Sequence, residues 1–193
     1  MADHPQRFDP GARREDSDAT LARLACEGDR AAFGALVTRY AAQARRVARA
    51  VLGDVDAADD AAQDGFIAAL ENLPRFDARR PFGPWLMRIV TNAAIDSRRR
   101  RAVRRTEPLD PSLVDRGDAT DRAAQQNELS ARLRLALAEL PERQRVAVTL
   151  FDAEGYSHAE IAGILGVPVG TVRSDVFHAR RKLRALLTEW KEP

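Results

Sequence analysis

Apolar positions recur along this chain at helical rather than strand spacing, and polar breaks divide it into three blocks. Residues from about 20 to 105 read as helices interrupted at Gly28-Asp29, at Gly53-Asp54 and between Leu73 and Pro84. Residues 106–126 carry Pro108, Pro111 and Gly117 among scattered acids, with few large apolar side chains, which is the composition of a linker. Residues from about 127 to 190 are helical again, broken at Pro141, around Gly155 and at Gly166-Val167-Pro168. No alternating β-branched run is long enough for a sheet. The pattern predicts an all-α fold: two small helical domains, 20–105 and 127–190, joined by a flexible acidic linker. A polar lead, residues 1–19, is expected to be disordered.

The last block contains a helix-turn-helix. Residues 158–165 form a short amphipathic helix with Ser157 as N-cap and Glu160 at capping-box spacing. Gly166 suits the left-handed end of that helix, and Pro168 suits the start of the next. On the second helix, at about 100° per residue, Val172, Val176, Ala179, Leu183 and Leu186 fall on one stripe. Arg173, Ser174, Phe177, His178, Arg181 and Arg184 fall opposite, a surface suited to the major groove and its phosphates. Asp175 is placed on the flank of that face, near Lys182; an acid facing phosphates would oppose binding.

Charge sharpens the picture. The formal net charge is only +2, yet Asp54, Asp56, Asp59, Asp60 and Asp64 cluster without a base, and Arg98 to Arg101, Arg104 and Arg105 cluster without an acid. A chain divided this way suggests two different partners. On a helical wheel Asp56, Asp60, Gln63, Asp64 and Glu71 share an arc with Ile67 in its middle, while Ala58, Ala61, Ala62, Gly65 and Ala69 line the other side. An acidic face with an apolar centre suits a basic protein surface better than DNA. The next helix has Leu86, Ile89, Val90 and Ala93 on its apolar side and Arg88, Asn92 and Arg99 opposite. The preceding segment, Phe76, Asp77, Ala78, Arg79 and Arg80, has an aromatic ring and cations of the kind that hold unstacked bases. Trp85 reads as core rather than base-stacking.

Several classes are excluded. Cys26 is the only cysteine, which rules out an intramolecular disulfide or a cysteine-built zinc site and suits a reducing, cytoplasmic setting. No apolar run approaches a membrane span, and the N-terminus lacks a signal-peptide core. There is no phosphate-binding glycine loop, and His4, His158 and His178 are scattered. No metal, cofactor or catalytic activity is expected. The chain ends soon after Trp190, so no further C-terminal domain is expected.

Leu140-Pro-Glu-Arg-Gln-Arg145, Glu160-Ile-Ala162, Leu165 to Ser174 and Ala179 to Leu183 together resemble region 4 of extracytoplasmic-function (ECF) sigma factors. Gly28 to Phe33, Asp59 to Phe66, Pro81 to Asn92 and Ala94 to Arg99 resemble region 2 of the same family. The resemblance spans nearly all of residues 20–187. It implies a subunit that binds core RNA polymerase through the β′ clamp helices and β flap, recognises −35 and −10 promoter elements, and is restrained by an anti-sigma factor. It implies polymerase contact by Asp56, Asp60, Gln63, Asp64, Ile67 and Glu71. It implies −35 contact by Arg173, Ser174, Phe177 and His178, joined by Arg181 and Arg184 on the same helix, with Arg143 and Arg145 near the phosphates. Phe76 and Asn92 would line a base pocket at the −10 element beside Asp77, Ala78, Arg79, Arg80 and Arg88, with Arg98 and Arg99 on phosphates upstream. The linker would thread toward the polymerase active-site channel. The competing reading is a helix-turn-helix repressor that binds DNA without polymerase.

Overall fold

A computed structural model describes residues 16–104 and 121–189. Most of the expected lead (1–15) and linker (106–120) lies outside the described residues. The first domain is built from α1 (Asp18–Cys26), α2 (Arg30–Leu52), α3 (Val55–Asn72), a 3-10 turn (Leu73–Arg75) and α4 (Phe82–Arg104). The second holds α5 (Asp121–Ala138), α6 (Glu142–Val148), a π-helical turn (Thr149–Ala153), α7 (His158–Leu165) and α8 (Val169–Glu189).

Short polar side chains start the helices where the sequence breaks. Ser17 caps α1 by accepting from the Thr20 amide at 3.2 Å. Asp29 accepts from the amides of Ala31 and Ala32 at 2.9 and 3.0 Å, and Asp54 from that of Ala57 at 2.7 Å. Each satisfies a donor that has no partner inside its helix. Gly53 ends α2 at φ 74°, a conformation that disfavours a side chain. Two boundaries differ from expectation. Helix α1 begins at Asp18, inside the stretch expected to be disordered, because Ser17 caps it and Asp18 accepts from Arg39 and Tyr40 on α2. Helix α5 begins at Asp121, six positions before the expected edge of the second domain.

Helices α2, α3 and α4 pack around a core of small residues. Ala57, Ala58, Ala61, Ala62, Gly65 and Ala69 turn the buried face of α3 into a smooth stripe. Gly65 lies so close to α4 that a Cβ there would sit 2.8 Å from Val90 Cγ2 and 3.0 Å from Val90 Cα. The buried apolar cluster does not stop at the domain boundary. It runs from Leu21 through Met87 and Val90 to Val146, Leu150, Ile161 and Val176. The two domains therefore lie against each other, with α2 against α6 and α4 against α7.

Gly65→Ala is expected to destabilise the chain. Overpacking against the α4 backbone costs ~1–3 kcal/mol, and the better helix propensity of alanine returns only ~1 kcal/mol. A lowered urea midpoint with unchanged slope is the expected result.

Candidate nucleic-acid interface

Helix α7 and the turn after it set the pose of α8. The capping box is complete: Ser157 Oγ accepts from the Glu160 amide, and Glu160 accepts from the Ser157 amide at 2.9 Å. Gly166 adopts φ 66° and ends α7. Val172, Val176 and Ala179 are buried, whereas Arg173, Ser174, Phe177, His178, Arg181 and Arg184 are exposed. Phe177 is 62% exposed and meets the His178 ring edge-on at 5.5 Å. An exposed ring among cations is a surface that suits contact with base edges and phosphates.

The structure corrects the reading of Asp175. Its side chain is 7% exposed and is held by Arg143 of α6, with Nε to Oδ2 at 2.6 Å and Nη2 to Oδ1 at 3.3 Å. Lys182 instead donates to the Glu139 carbonyl. The acid is consumed internally and does not stand among phosphates. Arg143 stays 57% exposed, a cation held at the margin of the reading face by its own counter-ion. On the far side of α8, Arg180 pairs with Asp152, Nε to Oδ2 at 2.9 Å, and lies 4.9 Å over the Phe151 ring. These contacts fix α8 against α5, α6 and the π turn.

Arg145, expected near phosphates, points elsewhere. It donates to the carbonyls of Ala50 and Val51 in the last turn of α2, and to that of Leu140. Burial, and then the charge of Arg98, push its pKa below the ordinary arginine value.

In the first domain the expected −10 residues separate into two groups. Arg79, Arg80, Arg88 and Asn92 are exposed, and Arg79 is locked to Asp77, Nε to Oδ1 at 2.9 Å. The Arg79 side chain, by its hydrogen bonds, holds the Asp77 carboxyl below the usual range. Phe76 departs from expectation. It is 8% exposed and packs with Phe82 at 5.7 Å and Trp85 at 4.6 Å, so its ring is core and not an open stacking platform. Trp85 joins the same cluster, as the sequence suggested.

The arginine run on α4 is not left to repel itself. Arg98 pairs with Glu142, Arg99 with Asp96, Arg100 with Asp64 at 3.6 Å and Arg101 with Asp54 at 3.6 Å. Exposed pairs of this kind contribute ~0–1 kcal/mol, weak enough to exchange for another anion.

On α3, Asp56, Asp60, Gln63, Asp64, Ile67 and Glu71 are all exposed, with Ile67 half in solvent at 50%. Sequence reasoning missed how the neighbouring helix extends this face. Phe33, Val37 and Ala41 of α2 join Phe66, Ile67 and Leu70 of α3 in an open groove of about 480 Å³, rimmed by Arg45, Asp59 and Asp60. The spacing of Phe33, Val37 and Ala41 at intervals of four was the available signal.

An exposed recognition helix in one domain and an acidic groove in the other define an all-helical DNA-binding protein with a second surface suited to a protein partner. Two family models match: residues 36–104 match Sigma-70 region 2, and residues 130–183 match Sigma-70, region 4. Over 177 residues the chain is 40% identical to the ECF RNA polymerase sigma factor SigM of Mycobacterium tuberculosis, covering 92% of this chain and 88% of that protein. It is 37% identical to the RNA polymerase sigma factor CnrH of Cupriavidus metallidurans, covering 90% and 95% respectively. The solved structure of CnrH in complex with the cytosolic domain of CnrY aligns at TM-score 0.66 and 32% identity, over 90% of this chain and 99% of that one. The chain belongs to the sigma-70 family of RNA polymerase sigma factors, in the ECF group. Among the described residues no helix is long and apolar enough to cross a membrane, and no three metal-ligating side chains converge.

Asp175→Ala is expected to lower the unfolding midpoint by roughly a few degrees and to weaken −35 duplex binding about three- to tenfold. The exchanged pair, Arg143→Asp with Asp175→Arg, should recover much of the stability but not the duplex binding, because it leaves an exposed acid where a cation stood. Calorimetry and fluorescence anisotropy with a −35 duplex measure the two effects.

Proposed function

We propose that the two domains divide promoter recognition between them, and that the exposed face of α8 carries the −35 half. The observation behind this assignment is Phe177, a large ring held in water among Arg173, His178 and Arg181 on a helix whose other side is buried. Arg173, Ser174, Phe177 and His178 would read base edges, while Arg143, Arg181 and Arg184 would hold phosphates. The exposed Arg79, Arg80, Arg88 and Asn92 would serve the −10 element. Arg98 and Arg99 would exchange their carboxylate partners for upstream phosphates.

The groove between α2 and α3 would seat a basic helical element of core polymerase. Its floor is apolar, its rim carries Asp60 beside the paired Asp59 and Arg45, and its volume is about 480 Å³, a combination suited to amphipathic helix docking. Sigma factors act in the cytoplasm and carry no catalysis of their own, and this chain is read the same way. The solved relative is bound to the cytosolic domain of CnrY, and an anti-sigma partner is proposed here on that precedent. Nothing observed favours a repressor that works without polymerase, since the acidic groove would then have no role.

The chain mixed with core polymerase should produce promoter-specific run-off transcripts. DNA binding without transcription would support the repressor instead. Asp60→Arg should abolish co-purification with core polymerase while leaving the helical content unchanged; retained co-purification would remove the groove assignment.

A further inference from the structure

The loop between the 3-10 turn and α4 is pinned at both ends. Phe76 and Phe82 are 8% and 3% exposed and meet edge to face at 5.7 Å, so residues 77–81 bridge two buried rings. Inside the loop one carboxylate sets the geometry. Asp77 Oδ1 accepts from the Arg79 amide at 3.1 Å and from Arg79 Nε at 2.9 Å, and Oδ2 accepts from Arg79 Nη2 at 3.1 Å. The Asp77 carbonyl accepts from the Arg80 amide at 2.9 Å and closes the turn. The backbone and the guanidinium of Arg79 are thus held by the same residue.

The pair does little for the fold, because Arg79 is 90% exposed and exposed pairs stabilise weakly. It does fix which donors remain. With Nε and Nη2 turned toward Asp77, the guanidinium presents its other edge, Nη1 and the second Nη2 hydrogen, to solvent. That edge is a planar fork of two parallel donors, oriented before any ligand arrives. A phosphate matches it poorly, since Asp77 offsets the charge of Arg79 and would set an anion behind the contact. The guanidinium of neighbouring Arg80 is exposed and has no hydrogen-bonded carboxylate among the described residues, which suits phosphate better. A base edge carries no net charge and is not repelled. The fork needs two acceptors side by side. Guanine offers them at O6 and N7. In an opened strand the Watson–Crick edge is also free, and there cytosine offers N3 and O2. Adenine and thymine set a donor next to each acceptor on those edges.

We propose that Arg79 is a specificity-determining residue of the −10 contact and Asp77 its positioning residue. The tethered fork selects a base with two adjacent acceptors at one position of the opened −10 element. This rests on the assignment of the loop to that element. Asp77, expected at the −10 contact itself, acts through Arg79.

The test uses the full chain with core polymerase and a promoter fragment whose −10 element is single-stranded, on each strand in turn. Fluorescence anisotropy follows binding as each −10 base is varied. One position should prefer guanine or cytosine over adenine and thymine by about tenfold. If the base is guanine, 7-deazaguanine, which lacks the N7 acceptor, should lose most of that preference, and inosine, which keeps O6 and N7, should retain it. If the base is cytosine, 3-deazacytosine should lose it. Arg79→Lys keeps the charge but not the fork, so the preference should vanish with the salt dependence unchanged. Asp77→Asn keeps the turn, because its amide oxygen still accepts from the Arg79 amide, but loses one guanidinium bond. It should lower the preference severalfold while overall binding holds or rises, since an acid near the DNA has gone; structural damage would weaken every sequence alike. Arg79→Lys that leaves every −10 preference intact, or that removes a preference for adenine or thymine, would overturn the proposal. Asp77→Asn with the full preference would overturn the positioning role. If Arg79→Ala weakens all −10 sequences equally and lowers the salt slope by about one, Arg79 holds a phosphate: the proposal fails and the −10 assignment stands. If Arg79→Ala changes neither affinity nor preference, the −10 assignment of the loop fails with it.

Discussion

Helix α4 is packed on two sides, and the rest of the molecule is arranged around that constraint. One side is pressed so closely to α3 that only glycine fits at position 65. The arc from Gly83 to Arg98 lies against the second domain. Only the remaining strip, bearing Arg88 and Asn92, is open to solvent. Over its first three turns this helix offers solvent only that strip, and its orientation is set by the alanine-rich contact behind it. Interiors packed at crystal-like density transmit such placement rigidly, so the precision of a DNA contact on α4 begins with side chains of one carbon or none on α3.

The second domain is organised differently. Its recognition helix is held less by bulk than by discrete polar ties: Asp175 to Arg143, Arg180 to Asp152, and Lys182 to the Glu139 carbonyl. Each tie links α8 to a different neighbour. Together they constrain rotation of α8 about its own axis, which decides which side chains face outward. Burial of Val172, Val176 and Ala179 alone would tolerate some rotation. Directional hydrogen bonds tolerate much less.

Much of this was legible from residue order. The helix-turn-helix followed from Ser157, Glu160, Gly166 and the stripe of Val172, Val176 and Ala179, because capping and periodicity are local properties. The exposed acidic face of α3 followed for the same reason. Two of the three misplacements involved partners distant in sequence. Asp175 was placed beside Lys182, seven positions away, when its counter-ion was Arg143 on another helix. Arg145 was assigned to phosphates, because nothing local reveals that the end of α2 lies beneath it. The resemblance puts Phe76 in a base pocket, but it lies in a loop, where no wheel applies, and Phe82 and Trp85 pack against its ring. A wheel orders the faces of one helix; it is silent on what another helix brings to them.

The Asp175–Arg143 tie has a consequence for how such domains can be recombined. The recognition helix is not a self-contained cassette. Grafting residues 173–178 into a relative would import an acid that needs a cation from the helix two elements earlier. Without that cation the graft would bury an unpaired charge next to the surface proposed to read DNA. The smallest portable unit of specificity is therefore α6 and α8 together, with the intervening turn and α7 as the frame that keeps them in register.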